Sequence, residues 1–380
     1  MACSVYIHIP FCLKKCVYCD FVSVPFDGVL SDRYLAALGR ELSLSLSLSA
    51  RGKSKMRLKT LFVGGGTPTA LSAWQLKGLF DSIGRGFDFY PDAEVTVEAN
   101  PATLDEEKLG VLLQGGVNRI SIGAQSFDAE ELKLLGRAHR PGEISDAVEL
   151  CRAAGLENIG LDLIYGIPGQ KMQTWLQTLK SALELGPRHI SAYELTVEEK
   201  TGLWDLVRGG ALEMPSEDDV LSMSGAAQEA LEAAGFVRYE VSNYAIAGFE
   251  CRHNLNYWRR GEYLGLGVAA HSFSDGRRWS NTCSVLEYIA AIEAGELPVA
   301  GAETLTKDEQ RREVFLLGLR TGEGVPLAAD GAGGAALERA AAELIAEGLL
   351  EVRRGRLSAT RRGFHLLDSV IFRLLAGLSL

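Results

Sequence analysis

Several features that would place this chain in common protein classes are missing from its sequence. Its 380 residues contain no apolar run of the ~20 residues that a membrane-spanning helix needs. The first residues show no basic stretch followed by an apolar core, so we expect no secretory signal peptide. Positive charge is also in deficit, since the formal net charge is −10, and this argues against general nucleic-acid binding. We therefore expect a soluble cytoplasmic protein with no nucleic-acid partner.

Cysteine is scarce, and the odd count of seven does not suit a framework of disulfides. Three of the seven, Cys12, Cys16 and Cys19, share one short segment with the spacing C-x3-C-x2-C. A structural zinc site would need four ligands, usually in paired C-x2-4-C units, and no second unit follows. Most iron–sulfur clusters take four cysteines, so three thiolates would leave one iron of a [4Fe–4S] cluster without a protein ligand. The segment therefore predicts a [4Fe–4S] cluster with one open iron.

Apolar runs alternate with helical patterns through the first half of the chain. The runs predict six strands, at Val5–Ile9, Lys59–Val63, Glu94–Glu98, Arg119–Gly123, Asn158–Ile164 and His189–Leu195. The tract Leu42–Ser49 alternates Leu and Ser as a strand would, but we predict that it continues a helix from Arg33, followed by a loop at 51–54. Strands that alternate with helices predict an α/β fold with a parallel sheet and right-handed crossovers. Six units predict an open (β/α)6 partial TIM barrel rather than a closed eight-stranded one.

Two further regions follow the predicted barrel, which we assign to residues 1–214. Residues 215–303 are expected to pack against the open side of the barrel. Residues 304–380 predict a separate α+β domain with two helices, a hairpin around Gly355 and a last helix, which resembles a winged helix. Because the charges of this domain nearly balance, we expect a docking or structural role rather than DNA binding.

Polar and glycine-rich segments follow the predicted strands, at the end of the barrel where chemistry is placed in such folds. Gly64-Gly65-Gly66 would allow the backbone to approach a ligand closely, although a tight turn explains these glycines equally well. Glu98 can hold ribose hydroxyls, and Gln125 and Arg137 can bind other polar groups of a cofactor, with the arginine pairing to a carboxylate. Asp162 lies in an apolar strand, where a carboxylate is costly without a partner. The alternative for each residue is a hydrogen bond that only orders the barrel rim.

Seven segments resemble, in this order, the oxygen-independent coproporphyrinogen III oxidase-like family of radical S-adenosylmethionine (SAM) proteins: YIHIPFC, GGGTPT, EANP, GAQSFD, LIYGIPGQ, YEVSNYA and HNLNYW. The resemblance covers nearly the whole chain. The C-x3-C-x2-C spacing is the signature of that superfamily, whose open iron is chelated by the amino and carboxylate groups of SAM. By motif, the resemblance implies cofactor contacts from Tyr6, Gly65, Gly66, Thr67, Glu98, Gln125, Arg137 and Asp162.

Two branches of this family compete. The decarboxylating dehydrogenases (HemN) have a longer region before the cysteines and read C-x3-C-x2-C-x-C, whereas Phe21 stands at the position of the last cysteine here. HNLNYW resembles a motif of the heme chaperones (HemW). The resemblance thus implies a chaperone that binds heme, SAM and a [4Fe–4S] cluster, receives electrons from a donor and delivers heme to hemoproteins, with membrane-associated respiratory enzymes among the candidates. The alternative is oxidative decarboxylation of coproporphyrinogen III to protoporphyrinogen IX, which we expect to be absent.

The segment HNLNYW also contains candidate heme-binding residues. His253 is a candidate iron ligand because neutral imidazole binds heme iron well, and Tyr257 and Trp258 can stack on a porphyrin. Cys251 is an alternative thiolate ligand. The competing interpretation is that the histidine and the aromatics only close the mouth of the barrel. Two other histidines are expected to pack beside the cluster or the core: His8 and His271.

Overall fold

The computed structural model describes residues 3–48, 55–326 and 334–376, and its secondary structure falls within these ranges. The strands are β1 (Cys3–Ile9), β2 (Phe11–Cys12), β3 (Val24–Pro25), β4 (Met56–Gly65), β5 (Phe87–Ala99), β6 (Arg119–Gln125), β7 (Ile159–Tyr165), β8 (His189–Glu194), β9 (Val237–Arg238), β10 (Asn243–Ala245), β11 (Tyr263–Leu266), β12 (His271–Ser274), β13 (Arg277–Asn281), β14 (Val299–Thr304), β15 (Val325–Pro326), β16 (Leu350–Arg353) and β17 (Arg356–Ala359). The helices are α1 (Gly28–Leu48), α2 (Ala73–Gly86), α3 (Glu106–Gln114), α4 (Ala129–Leu134), α5 (Pro141–Ala153), α6 (Met172–Glu184), α7 (Gly202–Arg208), α8 (Glu217–Ala233), α9 (Arg252–Trp258), α10 (Val285–Glu293), α11 (Lys307–Gly318), α12 (Gly334–Ala346), α13 (Arg361–His365) and α14 (Leu367–Ala376).

The six predicted parallel strands are confirmed as β1, β4, β5, β6, β7 and β8, which lie side by side in this order. Their β-branched residues are buried between the sheet and the surrounding helices, as a parallel sheet requires. β8 and β1 do not pair with each other, so the barrel is open, as predicted. All six carboxyl ends face the same side of the sheet, which brings the polar segments that follow them together.

Helix α1 contains the Leu–Ser tract, and the helix prediction is confirmed as far as Leu48. Leu42 is buried in the core, while the hydroxyl of Ser43 donates to the Gly39 carbonyl one turn back at 3.0 Å. Serine is compatible with a helix when its hydroxyl makes such a bond or faces solvent. Ser49 and the predicted loop at 51–54 lie outside the described residues.

Strands from the region 215–303 extend the sheet at both edges. β11 pairs in parallel with β1 and leads into the antiparallel strands β12, β13 and β14. At the other edge, β10 pairs antiparallel with β8 and β9 pairs with β10, which gives a sheet of 12 strands. The region therefore contacts the barrel by strand addition, and the division of the chain at residues 214 and 303 stays a prediction.

The part of the chain from α11 onward, which we call the C-terminal segment, has its own apolar core and a three-stranded sheet in the order β15, β17, β16. The predicted hairpin is confirmed, with Arg354 and Gly355 in its turn between β16 and β17. The predicted last helix is divided at Leu366 into α13 and α14. Among the helices of the described ranges, none combines the length and the apolar character that a bilayer crossing requires.

Candidate functional site

A cavity of about 560 Å³ lies at the carboxyl side of the parallel strands. Its walls come from β1, β4, β5, β6, β7 and β8, together with α9 and the segment that carries Cys12, Cys16 and Cys19, which we call the cysteine loop. All the predicted site residues except Trp258 line it: Tyr6, Cys12, Cys16, Cys19, Gly65, Gly66, Thr67, Glu98, Gln125, Arg137, Asp162, His253 and Tyr257. The volume is typical of a pocket for a small ligand.

The cysteine loop forms one wall of this cavity. Cys12 ends β2, which pairs with β3, and the backbone N–H of Cys19 donates to the carbonyl of Cys16 at 3.3 Å. All three thiols are unpaired, and burial raises the pKa of Cys12 and raises that of Cys19 to about 11. Iron binding would have to displace these thiol protons. In the described part of the chain, no three ligating side chains converge closely enough to hold a single metal ion.

The surroundings of the thiols fit a [4Fe–4S] cluster. The Thr67 hydroxyl donates to the Cys12 sulfur at 3.6 Å, and Nη1 of Arg137 donates to the Cys16 sulfur at 3.4 Å. Such hydrogen bonds and positive charge stabilise thiolate-bound clusters. A Cβ atom at Gly66 would lie 2.8 Å from the Phe11 carbonyl oxygen and 3.0 Å from the Cys12 sulfur, so only glycine fits beside the loop.

Two carboxyl groups, those of Glu98 and Asp162, face the cavity from β5 and β7. Oε2 of Glu98 accepts the backbone N–H of Gly65 at 3.0 Å, and the other oxygen has no hydrogen bond to any described residue. Burial, and then the charge of Asp162, raise the pKa of Glu98 to about 8. Asp162 accepts hydrogen bonds from Ser191 Oγ at 2.6 Å and from Ser121 Oγ at 3.1 Å, and burial raises its pKa as well. Glu98 therefore has capacity for ligand hydroxyls, whereas Asp162 already has protein donors.

Gln125 and Arg137 meet above Gly123 at the end of β6. Gln125 has a φ of 66°, which is uncommon for a residue other than glycine and is often found at functional sites. Nη2 of Arg137 donates to the Gly123 carbonyl at 2.7 Å. A Cβ atom at Gly123 would lie 2.8 Å from the Gln125 amide nitrogen, so the glycine makes room for both side chains. This arrangement holds one amide and one guanidinium beside the cysteine loop.

His253 lies near the start of α9 and is fully buried. Its Nδ1 is 2.8 Å from the Thr60 hydroxyl, and its Nε2 is 2.8 Å from the Tyr257 hydroxyl. Burial lowers the pKa of His253 to about 3, so the ring is neutral. Because both nitrogens are hydrogen-bonded within the protein, binding to iron would require one of these bonds to break. The contacts favour the interpretation that His253 and Tyr257 close the cavity wall.

The structure corrects the expectations for two heme-binding candidates and for one other histidine. Trp258 does not line the cavity, because it follows Tyr257 in a helix and therefore points about 100° away around the axis. Cys251 is fully buried, its thiol donates to Glu94 at 3.7 Å, and burial raises its pKa to about 12, so it offers no accessible thiolate. His271 was expected to be packed but is exposed.

His8 packs beside the cysteine loop, as expected. Its Nδ1 is 3.0 Å from the Tyr6 hydroxyl, and its Nε2 is 2.8 Å from the carbonyl oxygen of Val22. The ring also fills the space over Gly65, where a Cβ atom would lie 2.6 Å from it. His8 thus fixes the position of β1 relative to the residues that follow the cysteines.

Sequence reasoning missed Arg119, which lines the cavity from the first position of β6. Its side chain is 1% exposed, and its Nε has no hydrogen-bond partner among the described residues. Glu94 and Asp162 are among the groups that interact with its charge. A charged residue next to an apolar run is the same signal that identified Asp162.

Comparisons with known proteins identify the family of this chain. Residues 6–182 match the radical SAM superfamily, and residues 305–366 match the HemN C-terminal domain. The chain is 40% identical over 375 residues to the heme chaperone HemW of Mycobacterium tuberculosis, covering 98% of this chain and 94% of the relative. The heme chaperone HemW of Bacillus subtilis is 40% identical over 323 residues, with 85% of this chain and 84% of the relative covered.

The solved structure of coproporphyrinogen III oxidase (HemN) from Escherichia coli, described as a radical SAM enzyme, has the same fold. The TM-score is 0.85 and the sequence identity 24%, over 98% of this chain and 90% of that one. At that identity the likeness concerns the fold alone. The relatives from M. tuberculosis and B. subtilis are much more similar in sequence. The chain therefore belongs to the HemW family of radical SAM proteins.

Proposed function

We propose that this protein is a cytoplasmic heme chaperone, which binds heme and transfers it to hemoproteins. The observation that carries the proposal is the 40% identity to a protein named heme chaperone over 98% of the chain. The cavity supports the same proposal, because the residues predicted to bind the cluster and SAM all line it. The recipients, with membrane-associated respiratory enzymes among the candidates, and the electron donor are part of the proposal.

The cysteine loop would hold a [4Fe–4S] cluster through Cys12, Cys16 and Cys19. A bound cluster of this type supplies an open iron and one electron to SAM. Arg137 would balance the charge of the thiolates while its guanidinium remains close enough to pair with a carboxylate. Glu98 would accept hydrogen bonds from ribose hydroxyls through its free oxygen, and Gln125 would bind polar groups of SAM beside it. Arg119 would add positive charge to the cavity wall.

The second candidate function is oxidative decarboxylation of coproporphyrinogen III. The fold shared with the E. coli oxidase favours it, as does the presence in one cavity of the residues predicted to bind the cluster and SAM. Against it stands Phe21, which occupies the position of a fourth cysteine in the motif of the decarboxylating branch. Radical chemistry on a propionate also requires a closed site that orients the substrate carbon. Here Phe21 lines the cavity but its side chain is exposed to solvent, so the cavity is not closed on that side.

One experiment separates the two functions. The protein, reconstituted with iron and sulfide under anaerobic conditions, is titrated with hemin and separately incubated with coproporphyrinogen III, SAM and dithionite. We expect about one stably bound heme per chain and no protoporphyrinogen IX, measured by absorption spectroscopy and by chromatography of the oxidised products. Product that disappears in Cys16→Ser would identify the protein as the oxidase. A wild-type protein that fails to bind hemin would exclude the chaperone function.

A further inference from the structure

A second cavity, of about 710 Å³, adjoins the first. Tyr6, Asp20, Phe21 and Tyr257 line both, so the two cavities share a wall beside the cysteine loop. The second cavity lies between the strands β11 to β13 at the sheet edge and α11 of the C-terminal segment. Its volume falls in the range of cofactor and small-molecule sites. The SAM and cluster contacts described above leave most of its lining without an assigned function.

One wall of the second cavity is aromatic. The rings of Tyr257 and Tyr263 meet edge to face with centroids 4.6 Å apart, and those of Tyr263 and Phe273 are 6.4 Å apart. Tyr263 and Phe273 are opposite each other on β11 and β12, so they lie on the same face of the sheet. Leu316 and Leu317 line the cavity from α11. A flat apolar ring system fits between such surfaces.

His271 provides a metal-binding group at this cavity. It begins β12 two residues before Phe273, so the two side chains project from the same face of the strand. The imidazole is exposed, and neither of its nitrogens is hydrogen-bonded to any residue that the structure describes. The other histidines that line the two cavities differ: His8 and His253 have both nitrogens engaged, and His189 has Nε2 bound to the Tyr239 hydroxyl at 2.7 Å. Nδ1 of His189 has no hydrogen-bond partner among the described residues, but that side chain is buried. His271 is therefore the one of these four that is exposed and can bind iron without breaking a bond seen here.

Two arginines supply donors for carboxylates at the same cavity. Nε of Arg260 pairs with Glu313 at 2.8 Å, while its Nη2 is buried with no hydrogen-bond partner among the described residues. Arg278, which lies opposite Phe273 on β13, pairs with the same glutamate. Arg278 also pairs with Glu303 at 3.4 Å, so the vacant donor that the structure shows here is Nη2 of Arg260. Asp20 adds a negative charge only at the exposed rim. A ligand carboxylate would fill the vacant donor through a charge-assisted hydrogen bond.

We propose that this second cavity is the heme site. His271 binds the iron, Tyr263 and Phe273 pack against the macrocycle, and Arg260 and Arg278 hold the propionates. This inference rests on the proposed function as a heme chaperone, and it replaces His253 by His271 as the iron ligand. The shared wall places the heme beside the loop that carries Cys19.

The first test compares hemin with metal-free protoporphyrin IX, each titrated into the full chain. His271→Ala should shift the Soret band and weaken hemin binding about tenfold or more, but leave protoporphyrin IX binding unchanged, because only hemin needs an iron ligand. His365→Ala, which changes a histidine of α13 outside this cavity, is the matched control and should alter neither titration. The double variant Arg260→Gln, Arg278→Gln should weaken both ligands, because both carry propionates.

Cluster content and far-UV circular dichroism of each variant show whether the fold is retained. A further variant, His271→Cys, should replace the imidazole by a thiolate and give a thiolate-type heme spectrum. An unchanged Soret band and affinity in His271→Ala, together with a shifted band in His253→Ala, would overturn the assignment while leaving heme binding by the protein intact. Absence of hemin binding in the wild type would instead remove the proposed function. The two failures are therefore distinguishable.

Discussion

At the scale of single residues, the two carboxyl groups of the first cavity are the most unusual electrostatic feature. Glu98 and Asp162 are both enclosed by protein, and the charge of Asp162 raises the pKa of Glu98 further. Arg119 partly offsets this effect, and the hydroxyl of Tyr6 is also close enough to interact with Glu98. Without a ligand, Glu98 therefore carries a proton at neutral pH. A carboxyl group poised in this way can lose its proton when donors of a ligand reach it.

We predict that Glu98→Gln flattens the pH dependence of stability of the cluster-free protein. The pKa of Glu98 is about 8 in the folded state, above the ordinary value of 4.5. Between pH 4.5 and about 8, Glu98 is therefore protonated in more folded than unfolded molecules. The contribution of Glu98 to the free energy of unfolding is full below pH 4.5 and is lost as the pH rises through about 8. Each pKa unit corresponds to about 1.4 kcal/mol.

Urea denaturation between pH 5 and pH 8.5 measures this effect. The wild type should lose stability across the range, and Glu98→Gln should lose clearly less, since the amide does not titrate. Glu107→Gln changes an exposed glutamate of α3 and should preserve the wild-type slope. Equal slopes in all three proteins would show that Glu98 is not the group responsible.

The chemical types of the site residues could be predicted from the sequence, but the hydrogen-bond partners and the exposure of each side chain could not. The three cysteines, Glu98 and Asp162 were identifiable because their types and positions after strands are local properties. His253 and His271 are chemically equivalent in the sequence. They differ in that Thr60, far away in the chain, occupies one nitrogen of His253, whereas the turn before β12 leaves His271 exposed. Contacts of this kind depend on the tertiary structure.

At the scale of elements, the cysteine loop is held on one side by the residues that follow β4 and on the other by β3. The backbone N–H groups of Gly66 and Thr67 donate to the carbonyls of Ile9 and Phe11, each at 2.8 Å. The residues that follow β4 therefore run alongside the residues that lead into the cysteine loop. The loop also pairs with β3 through Cys12 and Pro25. The position of Cys12 thus depends on close packing against Gly66.

We predict that Gly66→Ala lowers the iron and sulfide content obtained on anaerobic reconstitution. The added methyl group would overlap the Phe11 carbonyl and press on the Cys12 sulfur, which displaces one ligand of the cluster. Gly78→Ala in α2 is the matched control, because nothing lies within 4 Å of its Cβ position. Alanine should stabilise that helix by about 0.5–1 kcal/mol. Equal cluster content in the two variants would contradict the proposed packing.

Elements with a strong local pattern were predictable, and those that depend on distant pairing were not. The six parallel strands have continuous apolar runs, and the Leu–Ser tract lies in a helix, as predicted. β5 begins at Phe87 rather than at Glu94, because Phe87–Phe89 pair with Met56–Leu58 although Pro91 follows within the strand. The strand addition by β9–β14 also lacks a local signal, because edge pairing is decided by neighbours far away in the chain.

At the scale of the whole molecule, the C-terminal segment is joined to the barrel by charged contacts beside the second cavity. Glu313 of α11 binds both Arg260 and Arg278, and its side chain is only 13% exposed. Nearby, Arg259 pairs with Glu323, and Glu240 forms a β-bridge with Thr321. The same helix contributes Leu316 and Leu317 to the cavity. Ligand binding and the docking of this segment therefore use the same two arginines.

This shared use leads to a prediction about Glu313→Gln. Removing the carboxylate leaves the buried guanidinium of Arg260 without its partner, whereas Arg278 is partly exposed and keeps Glu303, so the free energy of unfolding should fall by up to about 3 kcal/mol. Protoporphyrin IX binding should be retained or become tighter, because both arginines are then available to the propionates. Glu323→Gln is the matched control: its pair with Arg259 is about half exposed on each side, so the cost should be about 0–1 kcal/mol, with no change in porphyrin affinity.

Urea denaturation and fluorescence titration with protoporphyrin IX measure the two effects separately. If the arginines bind the propionates, stability and affinity will change in opposite directions in Glu313→Gln. If they serve only to dock the C-terminal segment, loss of the carboxylate will loosen α11 and open the wall formed by Leu316 and Leu317. Affinity would then fall together with stability, to the same extent as in the double arginine variant, and the two arginines would not be the groups that hold the propionates.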